Sequence, residues 1–132
     1  MTLFRPIAAL GLSMLLASAC GGGGGSGAGS GPPPLDPSVI AKADEIFATR
    51  CVKCHGAEGR GDGADGAKLN PKPRNFHDME WQKSVKDDQL MKIIKLGGEA
   101  VGKSKDMPAN PDITSSQVIT ALKNKVRGFG GT

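Results

Sequence analysis

The chain has 132 residues, with 17 Lys and Arg against 13 Asp and Glu, for a net charge of +4. That length holds one small domain and excludes a multidomain enzyme, and no apolar run reaches the ~18 residues that a membrane-spanning helix needs. Basic residues are spread from Lys42 to Arg127 without a dense block or interleaved aromatics, a pattern of solvated surface rather than of nucleic-acid binding.

In chain order, the first signal is Arg5, followed by an apolar stretch from Ile7 to Leu16 and small residues up to Cys20. This is the layout of a removable export signal over residues 1–19. Leu16-Ala17-Ser18-Ala19-Cys20 resembles a bacterial lipoprotein signal, which implies lipidation of Cys20 and a site on the periplasmic side of a membrane. By the same resemblance, Gly21 after the Cys favours the outer membrane. The other reading is a soluble periplasmic protein cut near Ala19. Residues 20–36 form the anchor and linker, mostly Gly up to Gly31 and then Pro32-Pro33-Pro34, a flexible coil followed by a stiff spacer. Fully extended, such a tract spans on the order of 50 Å.

The folded domain is expected over 37–132. Asp36-Pro37 supplies an N-cap and a first-turn Pro, and Val39, Ala43, Ile46, Phe47 and Arg50 follow at helical spacing, predicting a helix from about Pro37 to about Cys54. Asp87 to Leu96 reads as a second helix stopped by Gly97-Gly98. Thr114 with Gln117 fits a capping box before the apolar stripe Val118, Ile119, Leu122 and Val126 of a third. Gly56 to Lys86 reads mostly as loop, and no alternating strand pattern is present. The class is therefore all-α, about three main helices with long loops. The domain has only Phe47, Phe76, Trp81 and Phe129 as aromatics and no Tyr, so something other than side chains is expected to fill part of its core.

That filler is announced by Cys51-Val52-Lys53-Cys54-His55. Two thiols three apart at a helix end project from one side, where each can add to a haem vinyl group, and the following His can bind the iron; Cys-x-x-Cys-His is the attachment signature of c-type haem. A thioredoxin-like use would need a βαβ context, and a zinc site would need two more ligands, with His77 the only other His. Gly61 to Gly66 formally fits a nucleotide-binding glycine pattern, but no strand precedes it and it reads as turns.

Residues from about Pro37 to Phe129 resemble a class I monohaem cytochrome c. The resemblance rests on Phe47 four residues before Cys51, on Cys-Val-Lys-Cys-His-Gly, on Pro71-Lys72-Pro73-Arg74-Asn75-Phe76, and on Val101 to Ala109 with Met107-Pro108. It implies a haem c held by Cys51 and Cys54, with His55 on one face of the iron and a later Met on the other. Among Met79, Met91, Met107 and His77, the choice falls on Met107, whose backbone Pro108 holds extended, with His77 next and Met91 as core filler. Pro71 or Pro73, with Pro71 preferred, is expected to offer the carbonyl that orients His55. Arg74, Asn75 and Trp81 are candidates for the haem propionates. The family's C-terminal helix usually carries an aromatic against the position of Phe47, where this chain has Lys125, leaving Phe129 one turn later to fill the contact. The implied role is one-electron transfer between redox partner proteins by a tethered monomer that is not an enzyme, with Lys53, Lys103 and Lys105 as a docking rim; the alternative is a haem sensor or small haem enzyme with a displaceable sixth ligand.

Overall fold

In this computed structural model, residues 33–131 are described; the expected export signal, Cys20 and the Gly-rich tract lie outside them. The first helix, α1 (Pro37–Ile46), starts where its sequence says it should: the Asp36 carboxylate accepts from the Ser38 backbone N–H at 2.8 Å, and Pro37 occupies the first turn. The chain then stays helical to His55, but not uniformly. Phe47–Cys51 forms a π-helical turn, in which the Val52 N–H donates to the Phe47 carbonyl, and α2 (Val52–His55) follows. The Thr49 hydroxyl donates to the Glu45 carbonyl at 2.8 Å, competing with the ladder just where it widens. The expected helix is thus present in extent, one residue longer, and interrupted by a wider turn.

Two further corrections concern the remaining elements. The segment expected as loop contains α3 (Met79–Ser84), capped by Asp78, whose carboxylate accepts from the Trp81 N–H at 3.0 Å, and a short 3-10 turn at Gly66–Lys68. After α4 (Asp87–Leu96) and a second 3-10 turn (Glu99–Val101), α5 (Ser116–Phe129) is capped by Ser115, not Thr114. The Ser115 hydroxyl accepts from the Val118 N–H, so the third helical position is Val118 and no capping box forms. There is no strand among the described residues, and the fold is all-α as expected.

Helix α5 packs against both α1 and α4. Ala43, Ile46 and Phe47 join Leu90 and the stripe Val118, Ile119, Leu122 and Val126 in one buried cluster. At the crossing with α1, the Phe129 ring lies 5.6 Å from that of Phe47, and Lys125 Nζ sits 5.2 Å above the Phe47 ring while pairing with Asp44 at 2.8 Å. The aromatic contact is therefore made one turn late, and the Lys that displaced it covers the same ring from outside.

A second tie comes from polar groups. Among the described residues, Gln82 is the buried polar side chain, 8% exposed. Its amide N–H groups donate to the carbonyls of Phe76 (2.8 Å) and Val126 (2.9 Å), and its oxygen accepts from Arg127 Nη1 (2.9 Å). The same guanidinium donates to the Val85 carbonyl and to Asp87 at the start of α4, which also pairs with Lys123 at 2.9 Å. One end of α5 is thereby fastened to the α3–α4 junction.

Candidate functional site

The motif residues stand at the end of the first helical run, Cys51 closing the π turn and Cys54 and His55 in α2. Gly56, at φ +78°, lets the chain reverse there, and the Gly-rich segment folds back over the helix end. The N–H groups of Gly61, Gly63 and Asp65 donate to the carbonyls of His55, Cys54 and Lys53 at 2.8, 3.1 and 2.9 Å. These glycines serve as turns and satisfy the helix's last carbonyls, as the missing strand suggested.

His55 is half-buried, with its ring stacked on Phe76 (centroids 4.5 Å apart, planes at 17°). Its Nδ1–H donates to the Arg74 carbonyl at 3.4 Å. The orienting carbonyl is thus neither that of Pro71 nor that of Pro73; the loop's length brings Arg74 opposite the ring instead. Burial lowers the His55 pKa from 6.5, against the opposing pull of that carbonyl, so the imidazole is neutral at pH 7 with its lone pair on Nε2.

Burial also pushes the Cys51 thiol up to about 11, and burial together with Asp65 and Asp106 raises that of Cys54. The two are not joined in a disulfide. A thioredoxin-like pair would need a depressed thiol, so this environment opposes that use. A zinc site fares no better: no cluster of three His, Cys, Asp or Glu side chains is present among the described residues.

Between the motif and α4 lies a cavity of about 860 Å³. Cys51, Cys54 and His55 line it together with Met107, while Met79, Met91 and His77 do not. Met79 is 49% exposed, Met91 packs against the core cluster, and His77 Nε2 is engaged with the Glu58 carbonyl at 2.7 Å. The segment bearing Met107 is stitched to the end of α4: Gly98 N–H donates to the Met107 carbonyl at 2.9 Å, and Asn110 bonds the carbonyls of Lys95 and Ile94. Gly97 permits this approach, since at φ +79° a Cβ there would meet the Met107 carbonyl oxygen at 2.8 Å.

The model of the cytochrome c family matches residues 40–124, a span that carries the Cys-x-x-Cys-His order, Met107 and most of the cavity wall. The chain belongs to the cytochrome c family. Membership implies a covalent haem c, and its members are typically electron carriers rather than enzymes. The residues present fit that group. The cavity is lined by two thiols, an imidazole and a thioether together with apolar walls that include Phe76, Trp81 and Leu90, and no large side chain among the described residues is fully buried. The core is short of filling where the cofactor would supply it.

Pro71, Arg74 and Trp81 line the cytochrome's cavity, Arg74 lying 5.7 Å over the Trp81 ring and pairing with Asp78 at 3.4 Å. Asn75 does not line it; its side-chain oxygen accepts from the His77 N–H at 2.9 Å, closing a turn. Arg50, unmarked by any motif, also lines the wall, and its guanidinium grips Asp112 with bonds of 2.7 and 2.9 Å. It joins the π turn to the segment following Met107. Nothing in the sequence pairs residues so far apart, and the same holds for Gln82 with Val126.

Proposed function

We propose that this cytochrome is a one-electron carrier with haem c attached through Cys51 and Cys54, axial ligands His55 and Met107, and a lipid on Cys20 that tethers it to the periplasmic face of a bacterial membrane, the outer membrane first. The observation that carries the ligand set is the composition of one cavity wall, which includes Met107 and leaves out Met79, Met91 and His77. When bound, the haem iron supplies a single ferric–ferrous electron exchange. The chain's own part is to hold that exchange in place. The Nδ1–H bond to Arg74 keeps the His55 Nε2 lone pair free for a metal. The Met107 thioether is a weak donor that favours the reduced state, and a filled second face leaves no position for substrate. Phe76 and Trp81 keep water from the His55 side, while Arg50, Lys72, Arg74 and Lys103 put cations on the wall that suit propionate carboxylates. Exposed Lys53, Lys103 and Lys105 form a rim for an acidic redox partner, and the tether keeps such a partner at high local concentration.

Optical spectra in both redox states, with and without carbon monoxide, test the ligand set. A ferrous spectrum unchanged by the gas is expected, and ready binding would instead favour a sensor. Membrane sedimentation tests the tether: the wild type cosediments, and Cys20→Ser is released. Recovery of the wild type as soluble protein would refute the anchor.

A further inference from the structure

The His55 ring meets two groups from one short stretch of chain, the Arg74 carbonyl at 3.4 Å and the Phe76 ring at 4.5 Å. What holds that stretch is therefore what aims the imidazole. The Phe76 N–H donates to the Gly59 carbonyl at 2.8 Å, and the Phe76 carbonyl accepts from Gln82 at 2.8 Å. The Gln82 amide is fully committed, with its second N–H bond on Val126 of α5 and its oxygen on Arg127. Breaking a buried amide's bonds leaves desolvated groups unpaired, so the amide has one stable orientation.

We propose that Gln82 is a positioning residue for the His55 imidazole: by bolting the Phe76 carbonyl to α5, it sets the Arg74–Phe76 stretch that orients and polarises the ring. The inference rests on the reading of His55 as an iron ligand. A carbonyl accepting from Nδ1–H makes the imidazole a stronger donor and favours ferric iron. Loosening the stretch weakens that bond and favours ferrous iron. Water entry would act the other way, but the Phe76 ring also packs on Trp81 (5.7 Å) and Phe129 (5.9 Å), contacts that a change at Gln82 does not remove.

The test compares holoprotein carrying Gln82→Met, which keeps the bulk and loses both donors, with Arg127→Met, which keeps both donors and loses the brace on the oxygen. Both variants should melt at lower temperature. Only Gln82→Met should raise the midpoint potential and move the hyperfine-shifted His55 ring signals in the ferric NMR spectrum. Gln82→Glu, which keeps length and the Arg127 contact but loses the amide N–H donors to Phe76 and Val126, should move both in the same direction. An unchanged or lowered potential in the Gln82 variants, or an equal rise in Arg127→Met, would overturn the proposal. Loss of haem from both Gln82 variants would make the residue a structural bolt and overturn it equally. Failure of the ligand reading is separate, because it would show as missing His55 hyperfine signals in the wild type.

Discussion

At the scale of single residues, Met107 is where sequence and structure bear on each other most closely. Four side chains are weighed in the sequence for one ligand role, and of these Met107 lines the cavity, its carbonyl held by the Gly98 N–H and by the close approach that Gly97 allows. Met107→Ala should keep its haem, because attachment runs through Cys51 and Cys54, yet bind carbon monoxide and show a lower midpoint potential. Met79→Ala and His77→Ala should leave both readings at wild-type values; the same change in either would move the ligand elsewhere. What could be read in the sequence was chemistry at fixed spacing: the two thiols and His55 of the Cys-x-x-Cys-His order. What could not were the groups around them. The carbonyl on His55 depends on how many residues the loop spends between Gly56 and Arg74, and backbone carbonyls look alike in every residue type.

At the scale of the helices, the α1–α5 crossing shows one role shared by two residues. Phe129 supplies the ring against Phe47, and Lys125 covers that ring while reaching Asp44. Truncating a packed aromatic costs about 3 kcal/mol, whereas a partly exposed cation such as Lys125 over a ring contributes about 1 kcal/mol. Phe129→Ala should thus destabilise the protein severalfold more than Lys125→Ala in denaturant titrations of the holoprotein, and equal losses would mean the crossing depends on the Lys. Helix ends were the least legible elements. The cap of α5 moved by one residue because Thr114 and Ser115 are chemically near-equal, and α3 is too short to show a period. The α4–α5 junction predicts acid behaviour. Asp87 is held below the ordinary 3.8 by Lys123 and Arg127, and Asp112 by Arg50. A lowered folded-state value means stability is present above the unfolded pKa and is lost as pH falls through the folded one. Melting temperature should therefore hold to about pH 4 and then fall, and Asp87→Asn should flatten that fall; as an exposed group, Asp87 contributes at most about 1 kcal/mol. A variant falling as steeply as the wild type would show that Asp87 takes no part.

At the scale of the whole domain, the cavity decides stability. Its walls come from the π turn and α2, the loop carrying Pro71 to Phe76, the helices α3 and α4, and the segment around Met107, so stretches far apart in the chain share it. Ordering each residue costs roughly 1–2 kcal/mol, and helices this short do not hold alone in water. Cys51→Ala with Cys54→Ala should therefore give a largely unfolded chain by circular dichroism, and a cooperative melt with near-native helix content would show that the side-chain core suffices. All-α class and the need for a filler were legible because both follow from composition and period. The fastening of α5 through Gln82 and Arg127 was not, since it joins residues more than forty positions apart.

A cavity bounded by so many separate stretches of chain also sets the fate of each newly made copy. A copy that has not received its haem exposes the same loops that a mature copy encloses, and an open backbone is what proteases cut. Maturation and survival thus become one event. The cell's supply of finished cytochrome should track the rate of haem attachment rather than the rate of synthesis, with unfinished copies cleared as they form.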